Sequence, residues 1–268
     1  MNLGIIGCGV VGQATANGFR KKGHKVFCYD INGKFLLLND VLKQCNILFI
    51  CVPTPAGKNG DIDLSMLDDA INKVAVKGKI VVIRSTVPPG TTRKYAQKYK
   101  NVKFIFNPEF LTEKTAEYDF LHPDKIVVGG NNKKAIDIVS NLYKNFKAPI
   151  IKTDFETAEM VKYFINCFYA TKVIFANQIY DICQKAGINY EKVKKIAVLD
   201  KRIADSHFEI FHKGYRGFGG KCLPKDLSGL IAFAKKIGVE ADLFQKIKKI
   251  NEKLLSDRDY EKYSKNNI

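Results

Sequence analysis

A cysteine stands between two glycines and a Lys-Asp pair at residues 219–226, where the sequence is GGKCLPKD. A thiol serves an enzyme as a thiolate nucleophile, and nearby cations favour the thiolate. The glycines let the backbone approach a ligand closely because they lack a Cβ atom, while Pro224 stiffens the segment that presents the thiol. Taken alone, however, the segment is better explained as a glycine turn before a helix, with Cys222 a small buried hydrophobe.

A second motif, GCGVVG, occupies residues 7–12. An apolar run suited to a strand precedes it, a helical pattern follows it, and a second predicted strand at 25–29 ends at Asp30, 18 residues past Gly12. This combination indicates a dinucleotide site, because the glycines admit a pyrophosphate to the helix N-terminus. Asp30 can accept hydrogen bonds from a ribose diol and would repel a 2′-phosphate, so we predict NAD rather than NADP.

The composition is typical of an intracellular globular enzyme, with 268 residues and 46% apolar content, enough for one large or two modest domains. Seven cysteines without a C-x-x-C pair argue against a disulfide framework and a zinc site, so no metal is predicted. Because the glycine motif begins at Gly7, we expect no signal peptide. No apolar run approaches membrane-spanning length. We therefore expect a cytoplasmic protein with no membrane partner.

The net charge of +17 could indicate a nucleic-acid partner. The lysines are spread along the chain, however, and are not interleaved with aromatic residues as in a single-strand binder. A solvated lysine-rich surface explains them better, so no nucleic acid is predicted. The positive field would also attract anionic small molecules such as dinucleotides and nucleotide-sugars.

The pattern as far as residue 152 predicts a doubly wound α/β domain. Beyond Asp30, strands are predicted at residues 46–52, 79–83, 102–106, 125–128 and 149–152. Polar residues at 53–55, 84–90 and 107–113 directly follow three of these strands. Ligands of such sheets lie outside the carboxyl ends of the strands, so these residues are placed for chemistry.

From Asp154 the pattern changes, and one long helix should start at Thr157 and run to about Ala186. Its apolar positions cover more than one face, as expected in a helical domain or a dimer interface. Lys162 and Asn166 share a face and could stabilise an oxyanion or bind a hydroxyl; a snorkelling lysine beside a surface amide is the ordinary alternative. We predict two domains, a Rossmann domain at 1–152 and an all-helical central, dimerisation domain at 153–268.

Seven motifs in order along the chain carry a family resemblance. They are GCGVVG at 7–12, VPTP at 52–55, STVPPGT at 85–91, NPEFL at 107–111, Lys162-Tyr163 with Asn166, Leu199-Asp200 with Arg202-Ile203, and GFGGKCLPKD at 217–226. The chain resembles the UDP-glucose/GDP-mannose dehydrogenase family, and within it most resembles the UDP-glucose 6-dehydrogenases. The resemblance implies a four-electron oxidation of a primary alcohol to a carboxylate with two NAD molecules in succession.

The resemblance also implies roles for individual residues. Cys222 would attack the aldehyde to give a thiohemiacetal and then a thioester, with Lys162 and Asn166 steadying the oxyanion. Asp226 would organise water for proton transfer. The remaining catalytic positions are Thr86 and Glu109. The cofactor positions are Gly7, Gly9, Val10, Val11, Gly12, Asp30, Lys34, Val52, Pro53, Thr54, Thr86, Glu113 and Lys225. The substrate positions are Glu109, Phe110, Leu111, Glu113, Lys162, Asn166, Phe211, Lys213, Tyr215 and Gly219.

The sequence departs from the family at two places that concern the nucleotide of the substrate. Relatives continue into a second Rossmann-like domain that grips it, and we expect this chain to lack that domain because the sequence ends at Ile268. The substrate loop at 211–215 is FHKGY, unlike the Asn-rich version of close relatives. Lys213, Tyr215 and Arg216 could supply replacement contacts to phosphate and ring.

The main hypothesis is oxidation of UDP-glucose to UDP-glucuronate by a homodimer, joined as in relatives through the central helices at 161–182. A UDP-N-acetylhexosamine or GDP-mannose is the alternative substrate. A truncated, non-catalytic binding module, or a subunit completed by a partner chain, is the alternative from another class. The presence of Cys222, Lys162, Asn166 and Asp226 favours an enzyme.

Overall fold

The computed structural model describes residues 1–212 and 214–256. These residues separate into two compact units. Unit 1 contains Met1–Gly57 and Ile62–Lys162, and unit 2 contains Lys58–Asp61 and the chain from Tyr163 onward. The domain boundary after residue 152 stays a prediction.

Unit 1 is built on one seven-stranded sheet with the order β2-β1-β3-β4-β5-β6-β7. The strands are β1 (Asn2–Ile6), β2 (Lys25–Tyr29), β3 (Ile47–Ile50), β4 (Ile80–Ile83), β5 (Lys103–Phe106), β6 (Ile126–Gly129) and β7 (Ile150–Thr153). Neighbouring strands are parallel except for β5 and β6, which pair antiparallel with Phe106 opposite Gly129. The predicted doubly wound α/β fold is confirmed, whereas the reversed pairing was not indicated by the sequence.

The sheet carries a hydrophobic cluster on each face. Every residue of β3 is buried, and successive side chains alternate between the clusters: Ile47 and Phe49 join one, Leu48 and Ile50 the other. A continuous apolar strand is therefore required here, because both faces of a parallel sheet are covered by helices. The covering helices of this part of the chain are α1 (Val10–Lys21), α2 (Leu38–Gln44), α3 (Ser65–Val74), α4 (Thr91–Lys98), α5 (Ala116–Leu121) and α6 (Lys133–Leu142).

In the described part of unit 2 the regular secondary structure is helical, apart from one isolated bridge between His212 and Tyr215. Its elements are most of α7 (Phe155–Ala186), then α8 (Tyr190–Ala197), α9 (Leu223–Lys236) and α10 (Asp242–Ser256). The predicted helical character of the second part of the chain is confirmed. Helix α7 has 32 residues and begins after Asp154, whose carboxylate accepts hydrogen bonds from the Thr157 amide at 2.8 Å and the Thr157 hydroxyl at 2.7 Å, as an N-terminal capping residue does.

The first turns of α7 hold α4 in place through a buried carboxylate. Glu159 is fully buried and accepts hydrogen bonds from the amide of Gly90 at 2.6 Å and of Thr92 at 2.8 Å. These amides belong to the N-terminus of α4, where the helix has unpaired donors and a partial positive charge. Burial raises the pKa of Glu159 to about 7, although the two amides act in the opposite direction.

We expect Glu159→Gln to change how stability depends on pH. Because the native pKa is raised from its ordinary 4.5 to about 7, native Glu159 keeps a proton that the unfolded chain has lost, so the free energy of unfolding should fall as pH rises across this interval. The glutamine variant lacks this contribution and should show a flatter profile there. Urea titrations of both proteins between pH 4.5 and 7 measure it; parallel profiles would contradict the raised pKa.

Candidate active site

The glycine motif forms the tight turn between the end of β1 and the start of α1. A Cβ atom on Gly12 would lie 1.9 Å from the carbonyl oxygen of Gly7, so no other residue fits there. Gly7 has a φ of 89°, and a Cβ on it would lie 2.9 Å from the Cys51 carbonyl oxygen. Gly9 faces open space, and no side chain of the described residues caps the α1 N-terminus. The amides at the start of α1 are therefore available to an anion such as a pyrophosphate.

The Asp30 carboxylate is held beside this turn. It accepts hydrogen bonds from the Cys8 amide at 2.7 Å and the Asn32 amide at 3.0 Å. A fixed carboxylate next to the turn is what recognition of a ribose diol requires. Together with the open Gly9 and the uncapped helix, it means that the residues present fit a dinucleotide. Lys34 and Val10 are exposed, whereas Val11 is half-buried.

The ends of β3 and β4 are tied to each other by hydroxyl groups. The Thr54 hydroxyl donates to the Thr86 carbonyl oxygen at 2.8 Å, and the Ser85 hydroxyl donates to the Val52 carbonyl oxygen at 2.6 Å. Pro53 is exposed. The structure thus brings together the predicted cofactor residues at these two strand ends, on the same sheet as the glycine motif.

A nearly buried ion pair lies at the end of β5. The Lys162 ammonium is 2.9 Å from Glu109 Oε1, and the two side chains are 6% and 11% exposed. Glu109 Oε2 accepts the Leu111 amide at 2.7 Å, and the Phe110 ring centroid lies 5.7 Å from the Lys162 ammonium. Burial would raise the pKa of Glu109, but Lys162, the Leu111 amide and Arg84 outweigh it and hold that pKa below its ordinary range. Glu113, further along this segment, is exposed.

Arg84 is a buried cation that the sequence analysis places at a strand end without an individual role. It is 5% exposed, and its guanidinium donates to Asn107 Oδ1 at 2.5 Å and to the Tyr143 hydroxyl at 3.2 Å. Asn107 in turn donates to the Val127 carbonyl oxygen at 2.7 Å. The only sequence signal was a cation directly after an apolar strand, since the partner residues come from distant segments.

In unit 2, three predicted residues form one cluster around a buried carboxylate. Asp226 is 1% exposed, and its carboxylate accepts a hydrogen bond from the Asn166 amide group and pairs with the Lys225 ammonium. Cys222 is the residue before α9, and Pro224 and Asp226 lie in the first turn of that helix. Among the seven cysteines, Cys222 is exposed and the other six are buried. The predicted nucleophile is therefore accessible, unlike the alternative of a buried hydrophobe.

The segment before Cys222 is closely packed. Tyr215 covers Gly219 so tightly that a Cβ on Gly219 would lie 2.6 Å from the Tyr215 hydroxyl oxygen. Phe211 is partly exposed, with its ring centroid 5.9 Å from that of Tyr180. Arg216 pairs with Asp181 at 2.7 Å, so this cation already has an acidic partner. Lys213, predicted to contact the substrate, lies outside the described residues.

A sheet with a glycine turn and a fixed acidic residue defines a dinucleotide-binding protein. Residues 35–147 match the NAD binding domain of the UDP-glucose/GDP-mannose dehydrogenase family, and residues 156–253 match its central domain. The chain belongs to this family, and the predictions of the family and of NAD as cofactor are confirmed. Among the helices within residues 1–212 and 214–256, none combines the length and the apolar content of a membrane span.

Individual relatives share most of this chain. UDP-glucose 6-dehydrogenase TuaD of Bacillus subtilis is 34% identical over 94% of this chain, and that of Rickettsia bellii is 33% identical over 94%. This chain spans 63% and 67% of their lengths. A UDP-glucose dehydrogenase structure from Pyrobaculum islandicum has a TM-score of 0.87 at 30% identity, covering 94% of this chain and 68% of that one. A UDP-D-ManNAc dehydrogenase structure from Pyrococcus horikoshii has a TM-score of 0.81 at 27% identity, covering 95% and 69%.

Lys162→Met should destabilise unit 1 strongly, because it leaves the Glu109 carboxylate buried without its partner. Removing one member of a buried pair costs about 3–5 kcal/mol. The double variant Lys162→Met/Glu109→Gln removes the stranded charge and should recover part of that loss. Denaturant unfolding of the single and double variants measures both effects; additive losses would contradict the coupling.

The stability difference between the wild type and Glu109→Gln should also depend on pH. Because the native pKa of Glu109 is lowered, its ionisation contributes stability that is complete above its ordinary value of 4.5 and is lost as pH falls through the native pKa. The advantage of the wild type over Glu109→Gln should therefore shrink below about pH 4.5.

Proposed function

We propose that this chain catalyses the NAD-dependent oxidation of the primary alcohol of a nucleotide-sugar to a carboxylate, with UDP-glucose as substrate and UDP-glucuronate as product. The observation that carries the proposal is the accessible thiol of Cys222, directly before α9 and four residues from the buried Asp226. An exposed thiol at a helix start suits covalent catalysis, because the partial positive charge there stabilises an anion.

NAD, when bound, accepts a hydride in each of the two oxidations. The residues that would hold it are the turn at 7–12, Asp30 and the tied strand ends at Thr54 and Thr86. Asp30 favours NAD because a 2′-phosphate would be repelled by its carboxylate. The amides at the start of α1 would take the pyrophosphate.

Cys222 is the proposed nucleophile. Its thiolate adds to the carbon of the aldehyde formed in the first oxidation, so that a C–S bond forms and the carbonyl electrons move to oxygen. After the second oxidation the sugar is a thioester, and water then attacks the same carbon. The C–S bond breaks, the thiolate leaves and the carboxylate is released. For each alcohol converted to a carboxylate, one water is consumed, two hydrides leave the carbon and three protons are released to solvent.

Lys162 and Asn166 are the proposed donors to the oxyanion. The Lys162 ammonium has three protons, of which Glu109 takes one, and the Asn166 amide group has two, of which Asp226 takes one. Each group therefore keeps a donor while its carboxylate partner fixes its position, as electrostatic preorganisation requires. We assign Asp226 to the organisation of the attacking water and keep Thr86, Glu109 and Glu113 as proposed contacts to reactants.

Two nucleotide-sugars are candidate substrates on the names of proteins similar to this chain. The names of the Bacillus and Rickettsia relatives support UDP-glucose. The similarity to a UDP-D-ManNAc dehydrogenase at a TM-score of 0.81 supports a UDP-N-acetylhexosamine as the second candidate.

We also propose that the protein is a homodimer joined through α7. Phe164, Phe168, Phe175 and Ile182 are between 53% and 70% exposed. Their spacings of four, seven and seven residues place them in one stripe along α7. A row of exposed apolar side chains on one side of a helix is typical of a protein interface.

An NADH-release assay with several nucleotide-sugars tests the activity. Wild type should reduce NAD with UDP-glucose and use NADP poorly. Cys222→Ala should lose essentially all conversion to the carboxylate, whereas Cys183→Ala, a buried cysteine outside the proposed site, should retain it. Full activity of Cys222→Ala would contradict the mechanism. Equal use of NADP would contradict the role of Asp30. NADH release with UDP-N-acetylmannosamine alone would show that this nucleotide-sugar, and not UDP-glucose, is the substrate.

Sedimentation analysis tests the dimer. Phe168→Glu and Phe175→Glu each place a charge in the stripe, and the double variant should sediment as a monomer while the wild type sediments as a dimer. Gln184→Glu, an exposed residue on the opposite side of the same helix, is the control and should leave the dimer intact. A monomeric wild type would contradict the proposed interface.

A further inference from the structure

One side chain binds both backbone groups of Phe218, four residues before Cys222. The Asn251 Oδ1 atom accepts the Phe218 amide at 2.7 Å, and the Asn251 Nδ2 atom donates to the Phe218 carbonyl oxygen at 2.9 Å. Asn251 is 4% exposed and lies on α10, a helix to which the sequence assigns no site residue. Two bonds from one planar amide fix both the position and the orientation of the bound peptide.

The residues around this contact also restrict the backbone and the side chain of Phe218. Gly217 has a φ of 80°, and a Cβ on it would lie 2.5 Å from Asn251 Oδ1, so glycine is required for the approach. The Phe218 ring is 4% exposed and belongs to the core cluster of unit 2 with Leu227 and Ile247. Both the backbone and the side chain of Phe218 are thus anchored.

A short exposed segment follows this anchor. Residues 219–222 are exposed or half-buried, and Gly220 has a φ of 76°. The next buried polar residue is Asp226, held by Asn166 and Lys225. Cys222 therefore lies on a glycine-containing segment between two buried anchors. Because glycine backbone is permissive, the anchors must limit where the thiol can go.

We propose that Asn251 is a positioning residue for Cys222, which it fixes through the Phe218 peptide. It touches no reacting atom. Its significance for catalysis rests on the proposed function, but its effect on the thiol does not. The residue must be an amide: aspartate can accept the Phe218 amide but cannot donate to the carbonyl, and leucine can do neither, so either leaves a buried backbone group unsatisfied.

The ordinary alternative is that Asn251 only stabilises the packing of α10. Ile247→Ala controls for this, because it makes a cavity in the same cluster from the same helix without touching the Phe218 backbone. Asn251→Leu is the main variant. Asn251→Asp is the second, and it remains informative if the leucine variant does not fold.

Hydrogen exchange of the full chain measures directly the hydrogen bond between the Phe218 amide and Asn251. Exchange of the Phe218 amide should accelerate by about tenfold in Asn251→Leu, the effect expected for one lost hydrogen bond. It should remain slow in Asn251→Asp, which keeps the acceptor, and change little in Ile247→Ala. Equal acceleration in Asn251→Leu and Ile247→Ala would overturn the proposal.

The rate of alkylation by iodoacetamide reports on the position of the Cys222 thiol, since the other six cysteines are buried. Displacing the thiol from the start of α9 should slow modification of the Cys222 peptide at neutral pH by about two- to fivefold in both Asn251 variants, the share that a helix N-terminus contributes to an anion. An Asn251→Leu rate equal to that of Ile247→Ala would overturn the proposal. Neither readout needs turnover, so an absence of dehydrogenase activity would contradict the proposed function alone. If activity is present, kcat should fall more than KM rises.

Discussion

Several polar side chains of α7 are buried, and each needs a hydrogen-bonding or ionic partner to offset the loss of water. This requirement determines which residues surround that helix. Glu159, Lys162 and Asn166 are between 0% and 7% exposed and follow each other at spacings of three and four residues. An unpaired buried charge would cost several kcal/mol. The partners are the α4 N-terminus, Glu109 and Asp226, each bound within its own unit.

The same pairing prepares these groups for chemistry. Lys162 is held by Glu109, and Glu109 stays ionised because the ammonium, a backbone amide and Arg84 act on it together. A group whose position and charge are fixed before a substrate arrives costs no reorganisation when negative charge develops. The polar network of α7 therefore has a stabilising role that can be measured and a catalytic role that we propose.

Patterns that depend on local sequence were readable, and those that depend on contacts between distant segments were not. The strand ending at Asp30 and the glycines before α1 could be placed because each follows from periodicity and backbone geometry. Helix α7 was predicted to begin near Thr157 and begins at Phe155, where Asp154 caps it. The antiparallel step between β5 and β6 left no trace in the apolar pattern, which is the same for either direction.

The site shows the same division. The thiol and the basic and amide residues of α7 were identified by type and spacing, with the family resemblance supplying their roles. Arg84 and Asn251 were missed because their partners, Tyr143 and Phe218, lie 59 and 33 residues away. The pairing of Lys225 with Asp226 was also missed, since adjacent residues of opposite charge do not by themselves indicate that the carboxylate is buried.

In the proposed mechanism one bound sugar undergoes both oxidations without leaving the protein, and it is linked to Cys222 during the second. The ratio of NADH formed to carboxylate formed, measured during turnover of UDP-glucose with an aldehyde trap in solution, distinguishes this mechanism from one that releases the aldehyde. The mechanism predicts two NADH for each carboxylate and no trapped aldehyde, because the intermediate stays attached to the protein. One NADH for each molecule oxidised, with the aldehyde recovered in the trap, would contradict it.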